Sequence, residues 1–127
     1  MMSGAPNLEF LDALIDARHV DAETGQPIPS PFTLERLRDG MVQELVRDIR
    51  ERKRVTRGTI GSMNGALMMH ARLLQRTGLS GQEHTDATVR FLREVIERVA
   101  AELHQPYAAV MPLVIKAWSG AELKPVS

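Results

Sequence analysis

Cysteine is absent from the sequence, and aromatic residues are scarce. A chain without cysteine has no disulfide, no thiolate nucleophile and no cysteine-ligated metal site, and it suits a reducing compartment. Aromatic residues make up only 4% of the chain, so Leu, Val, Ile, Ala and seven Met must fill the core. This composition favours packed helices over a β-sandwich, which depends on aromatic and β-branched strands.

Long uncharged runs are also missing. No stretch reaches the roughly 18 uncharged residues that a membrane-spanning helix requires. The first ten residues, MMSGAPNLEF, carry neither the basic residues nor the apolar run of a secretory signal. We therefore expect a cytoplasmic protein.

The 127 residues, 43% apolar and 25% charged, are typical of one globular domain, and we predict a single domain over 1–127. The net charge is zero, but the charges are unevenly distributed. Residues 1–40 carry seven acids and three bases, whereas residues 41–80 carry three acids and eight bases. The acidic segment 1–40 and the basic segment 41–80 can attract each other within one molecule or between two copies.

Apolar spacing and helix-start signals predict five helical segments. The first spans 7–18, with Asn7 as its N-cap, and a loop rich in Pro and Gly follows over 19–31. The second starts after Ser30 as N-cap, with Pro31 at the first helical position. Its apolar stripe consists of Leu34, Leu37, Met41, Leu45 and Ile49.

The third segment, 56–77, combines an apolar stripe with three glycines on one face, Gly58, Gly61 and Gly65. Three glycines destabilise an isolated helix by roughly 3 kcal/mol, so some compensation is expected. Close approach of another helix of the same chain is the first interpretation, and packing against a second copy is the second. Gly78 is expected to end the helix.

The fourth segment, 80–104, starts with the Ser-x-x-Glu spacing of a capping box at Ser80. Its apolar residues follow a heptad pattern, which predicts helix-on-helix packing at about 20°. In the fifth segment, 107–119, Pro112 should kink or break the helix, and 121–127 is read as a C-terminal tail. The heptad positions of the fourth segment are Val89, Leu92, Ile96, Val99 and Leu103.

The expected fold is an all-α, compact bundle of four main helices plus a Pro-broken C-terminal helix.

No pattern of reactive side chains indicates catalysis. The four histidines have no metal-binding spacing, and His70 is interpreted as a core residue because it borders an apolar face. Glu94 and Glu97 each have an Arg three or four residues away, so they are interpreted as exposed ion-pair partners. We predict no enzyme, no cofactor and no metal.

A basic stretch over 47–57 permits two interpretations. Its cations could bind an anionic partner, or they could simply complement the dipole at the end of the second helix. No aromatic residue interrupts the run, so base stacking is not indicated. The residues concerned are Arg47, Arg50, Arg52, Lys53, Arg54 and Arg57.

Taken together, these patterns predict a non-catalytic protein-interaction protein that binds another macromolecule or itself as a homo-oligomer. The apolar stripes of four helices are more than one small bundle is expected to cover. Phage neck or packaging components, anti-activators and secretion chaperones offer analogies only. The alternative is a nucleic-acid-binding regulator that uses residues 47–57. The interface residues expected are Gly61, Gly65, Tyr107, Met111, Val114 and Trp118.

Overall fold

The computed structural model describes residues 8–119, and helices make up 75% of it with no strand in that range. This confirms the all-α prediction. The expected N-cap Asn7 and the tail 121–127 lie outside the described residues. The helices are α1 (Leu8–Asp16), α2 (Leu34–Arg52), α3 (Arg57–Arg76), α4 (Gly81–Leu103) and α5 (Tyr107–Ser119).

The core lies between α2, α3, α4 and α5. Leu45 on α2 and Val95 and Val99 on α4 are completely shielded from solvent, and Val110 on α5 is 1% exposed. Two ion pairs, Arg38 with Glu94 at 2.8 Å and Arg98 with Asp39, join α2 to α4 at the surface. Glu94 therefore pairs with another helix rather than with its neighbours on α4.

The buried face of α4 shares Ile96 and Val99 with the predicted heptad stripe, but it is centred nearer Phe91 and Val95, which widen that stripe in the sequence. Val89, the first heptad position, is 51% exposed, whereas Phe91 and Val95 are buried. Leu92 is only partly buried. The buried line is centred on Phe91, Val95 and Val99, and α4 packs against α2, α3 and α5.

Helix α1 packs against α3 alone among the helices. Leu11 is its one buried residue. Arg72 of α3 holds Asp12 through two hydrogen bonds of 2.8 Å, and Arg76 reaches Asp16 at 2.7 Å. Burial of Leu11 and ion pairs to Arg72 and Arg76 thus hold α1 against α3.

Helix α2 starts later than predicted. Thr33, not Ser30, is the N-cap, and its hydroxyl accepts a hydrogen bond from the Arg36 backbone N–H at 3.1 Å. The Ser30 hydroxyl instead accepts from the Phe32 backbone N–H, also at 3.1 Å, and so stabilises the loop. Ser80 is the N-cap of α4, as predicted, but it makes no capping hydrogen bond with its side chain.

The loop before α2 has a defined conformation. The Asp21 carboxylate accepts backbone hydrogen bonds from Glu23 at 2.8 Å and Thr24 at 3.0 Å, and Gly25 completes the turn with φ of +70°. An isolated antiparallel bridge pairs Val20 with Pro27. Hydrogen bonds within the loop thus satisfy part of its backbone.

Helix α5 continues through Pro112, where the sequence predicted a kink or break. Pro112 is the sixth residue of the helix, so its missing N–H removes one hydrogen bond, the one to the Ala108 carbonyl. Burial of Val110 and Val114, on either side of the proline, stabilises the continuous helix against α4.

Candidate protein-binding groove

An apolar groove of about 370 Å³ opens between α3, α4 and α5. Its floor consists of side chains that are at most 9% exposed, Met63 from α3, Val95 and Ile96 from α4, and Val114 from α5. Leu92 and Trp118 are partly buried at its sides, and Ile115 is 47% exposed. The groove is therefore an open extension of the core.

Helical spacing explains how α5 supplies both the floor and the rim. Val110, Val114 and Trp118 follow one another at intervals of four, so they lie on the side of α5 that faces the bundle. Ile115 directly follows Val114, so it lies on a different side of the helix and projects outward beside them. One helix thus provides apolar side chains that fill the groove and others that stand beside it.

The lining offers almost no polar chemistry. Among the described residues that line it, polar groups are limited to the Trp118 indole N–H and Ser119, whose hydroxyl donates a hydrogen bond to the Lys116 carbonyl at 3.2 Å. Sites for small molecules and substrates add a few convergent polar groups to an apolar lining. An apolar surface of this kind suits the apolar side chains of another protein.

The structure gathers only some of the predicted interface residues. Val114 and Trp118 line the groove. Tyr107 and Met111 lie on the N-terminal half of α5, partly buried against the core and outside the groove. Ile115 lies in the same dense apolar run of α5, 110–118, and it also lines the groove.

Within residues 8–119, the glycine face of α3 packs against no other part of the chain. Gly58, Gly61 and Gly65 are exposed, and a Cβ atom built on any of them would have no neighbour within 4 Å. The expectation of close packing against another helix of the chain is therefore wrong. Met63 is two residues from both Gly61 and Gly65, so this face points away from the groove. Packing of Gly61 and Gly65 against a second copy stays a prediction.

The basic stretch occupies the end of α2, the turn after it and the first residue of α3, and all six of its cations are exposed. Arg52 forms an ion pair with Asp48 at 3.0 Å. Arg50 donates to the Glu102 carbonyl at 3.4 Å, and the Lys53 ammonium donates to the Arg50 carbonyl at 3.2 Å. Arg47, Arg54 and Arg57 form no ion pair or side-chain hydrogen bond with another described residue.

Asp48 is a buried carboxylate that sequence analysis did not single out. It is 1% exposed and organises the α2–α3 turn. Its oxygens accept hydrogen bonds from the Thr56 backbone N–H at 2.9 Å and the Thr56 hydroxyl at 2.8 Å, besides the Arg52 guanidinium. Burial raises the pKa of Asp48, but hydrogen bonds from Thr59, Thr56 and Arg52 outweigh it and lower the pKa to about 2. This carboxylate serves the fold and stays ionised at neutral pH.

His70 is 2% exposed, which confirms that it is a core residue. Its ring lies 4.1 Å from that of Phe91, centroid to centroid. Burial and, secondarily, the charge of His84 lower the pKa of His70. The Nδ1 atom has no hydrogen-bond partner among the described residues. A neutral imidazole is the state that this environment favours.

Two further properties of residues 8–119 are the grouping of their metal-ligating side chains and the hydropathy of their helices. Within that range, no three His, Asp or Glu side chains cluster in a way that could hold a metal ion. None of the five helices described there has the length and hydropathy needed to cross a bilayer. Comparison of the chain with family models, with curated proteins and with solved structures gives no match in any of the three.

Proposed function

We propose that this chain is a non-catalytic protein-interaction protein, and that its groove between α3, α4 and α5 binds the apolar face of a helix from a second copy. The observation that carries the proposal is an apolar groove with an exposed isoleucine, Ile115, on the same surface. Apolar side chains left beside an open groove are typical of a surface that a partner covers.

A second copy is favoured because one surface contains both the receiving and the projecting groups. A two-fold symmetric contact uses the same patch on both subunits, so each patch must be complementary to itself. Here Ile115 of one copy can enter the groove of the other, and the reverse contact then forms by symmetry. The lining carries no charged side chain, so no buried charge opposes the approach.

Light scattering across a wide concentration range tests the proposal. We expect the mass to rise from monomer to dimer, with the fluorescence of the single Trp, Trp118, shifting to the blue in parallel. Substitution Ile115→Glu should abolish both changes, because it places a carboxylate in the apolar contact. The matched control is Val89→Glu, since Val89 is an equally exposed apolar residue, at 51%, that lies outside the groove.

Three results would contradict the proposal. A monomeric mass up to millimolar concentration excludes the second copy. Equal effects of the two substitutions show that self-association does not use the groove. A dimer whose Trp118 emission equals that of the monomer places the contact elsewhere.

A further inference from the structure

The surface around the α2–α3 turn carries a local excess of positive charge that the groove does not use. Residues 47–57 contain six exposed cations and two acids. One of those acids, Asp48, is buried and already bound to Arg52 and Thr56. Glu51 is thus the only exposed carboxylate of the stretch, although the whole chain has a net charge of zero.

Three of the arginines are uncommitted. Arg47, Arg54 and Arg57 form no ion pair or side-chain hydrogen bond with any residue between 8 and 119. A helix-end role accounts for cations in the last turn of α2, where Arg50 and Arg52 lie. It does not account for Arg54 and Arg57, which lie beyond that helix. Complementarity with the dipole of α2 therefore does not explain Arg54 and Arg57.

The turn that bears Arg54 has a fixed backbone. Lys53 caps α2 in the left-handed conformation, with φ of +60°, and its backbone N–H donates to the Ile49 carbonyl. Three residues later, Thr56 is tied to Asp48 and starts α3. Because the backbone of this turn is already ordered, binding a ligand there costs less conformational entropy.

The adjoining face of α3 leaves room for a large anionic partner. Its first turn contains no acid, and Gly58 and Gly61 are exposed with open space where a Cβ would lie. A glycine surface lets a partner's backbone approach the helix closely.

We propose that Arg47, Arg54 and Arg57 bind the sugar-phosphate backbone of duplex nucleic acid, independently of its sequence. Guanidinium groups bind phosphate oxygens through paired hydrogen bonds. A duplex is favoured over a single strand because residues 47–57 contain no aromatic side chain on which unpaired bases could stack. This surface is distinct from the groove, so the inference does not depend on the proposed self-association.

Fluorescence anisotropy with a labelled mixed-sequence DNA duplex tests the inference on the full chain. We expect binding at low salt that weakens steeply as salt is added, because each neutralised phosphate releases counterions. The double variant Arg54→Ala, Arg57→Ala should bind at least about tenfold more weakly and should reduce the slope of log K against log salt by about two. Arg36→Ala is the matched control, since Arg36 is exposed on the first turn of α2, at the opposite end of that helix. Circular dichroism verifies that each variant is folded.

Four results would contradict the proposed binding of duplex nucleic acid. Absence of duplex binding by the unmodified chain at low salt overturns the inference, and so does an equal loss of affinity in the Arg36→Ala control. Polyglutamate that displaces the duplex at matched charge concentration identifies an acidic protein partner instead. Stronger binding to a single strand than to the duplex also contradicts it.

Discussion

At the scale of single residues, Asp48 determines the geometry between α2 and α3. A carboxylate that is 1% exposed is costly to bury unless its oxygens are bound, and here Thr56 and Arg52 bind them. The Thr56 backbone N–H precedes α3 and would be unsatisfied without this acceptor. One side chain near the end of α2 therefore holds the N-cap residue of α3 and fixes the turn between the two helices.

Replacing Asp48 by Asn should destabilise the fold by on the order of 2 kcal/mol at neutral pH, because the amide keeps the shape but loses the charge that Arg52 and Thr56 bind. The pKa of Asp48 is about 2 in the folded chain and 3.8 for the free group. Its stabilising contribution is therefore complete above pH 4 and disappears as the pH falls toward about 2. Urea unfolding of both proteins at pH 7 and in this acidic range measures the effect.

The control for Asp48 is Asp39→Asn, because Asp39 forms an exposed ion pair with Arg98. Surface pairs contribute about 0–1 kcal/mol, so this substitution should cost clearly less than the other. Equal losses from both substitutions would show that burial gives Asp48 no special role. A difference between Asp48→Asn and the unmodified chain that persists unchanged at pH 2 would contradict the pH dependence.

At the scale of secondary-structure elements, the exposure of the glycine face of α3 predicts that alanine substitutions there stabilise the fold. Gly61 and Gly65 are exposed, and a Cβ at either position meets open space. We expect Gly61→Ala and Gly65→Ala to stabilise the monomer by about 0.5–1 kcal/mol each, since Ala restricts the unfolded chain more than Gly does. Thermal unfolding at a concentration where the chain is monomeric measures this gain.

Gly78→Ala provides the opposite control. Gly78 follows α3 with φ of +91°, a conformation that L side chains rarely adopt, so Ala should destabilise there. A destabilising effect of Gly61→Ala or Gly65→Ala in the monomer would mean that this face is packed after all. A stabilised monomer that dimerises less would instead place these glycines in a contact between copies.

All five helices could be predicted from the sequence, because apolar residues at intervals of three and four leave a clear period. Gly78 correctly marked the end of α3, whose last carbonyls it helps to satisfy. The start of α2 was predicted three residues too early, because Ser30 and Thr33 are both good caps and only the loop's own hydrogen bonds distinguish them. The continuity of α5 through Pro112 depends on burial against α4, which local sequence does not reveal.

At the scale of the whole molecule, α2 supplies the centre of the core. Leu45 is completely shielded from solvent, so Leu45→Ala should destabilise the fold by roughly 2–5 kcal/mol through lost burial and the cavity left behind. Leu34 belongs to the same predicted stripe but is 39% exposed, and Leu34→Ala should cost well under half as much. Denaturant unfolding of the pair checks this. Similar losses would mean that the bundle is packed differently.

The candidate groove could be only partly predicted. The dense apolar run in α5 indicated an interface around Val114 and Trp118, and both line the groove. Met63 and Leu92 were assigned to helix stripes, because periodicity shows which face of a helix is apolar but not where two packed helices diverge. Asp48 went unnoticed for a similar reason, since its partner Thr56 is eight residues away across a turn.

The attachment of α1 has a consequence for how the molecule unfolds. Because α3 is the only one of the described helices that α1 packs against, and Leu11 is its one fully buried residue, α1 can separate while the other four helices keep their shared core. Its backbone amide protons would then exchange with solvent through this local opening, faster than those of α2 and α4, which require global unfolding. Added salt would favour the opening, since the links of Asp12 and Asp16 to Arg72 and Arg76 are partly exposed ion pairs.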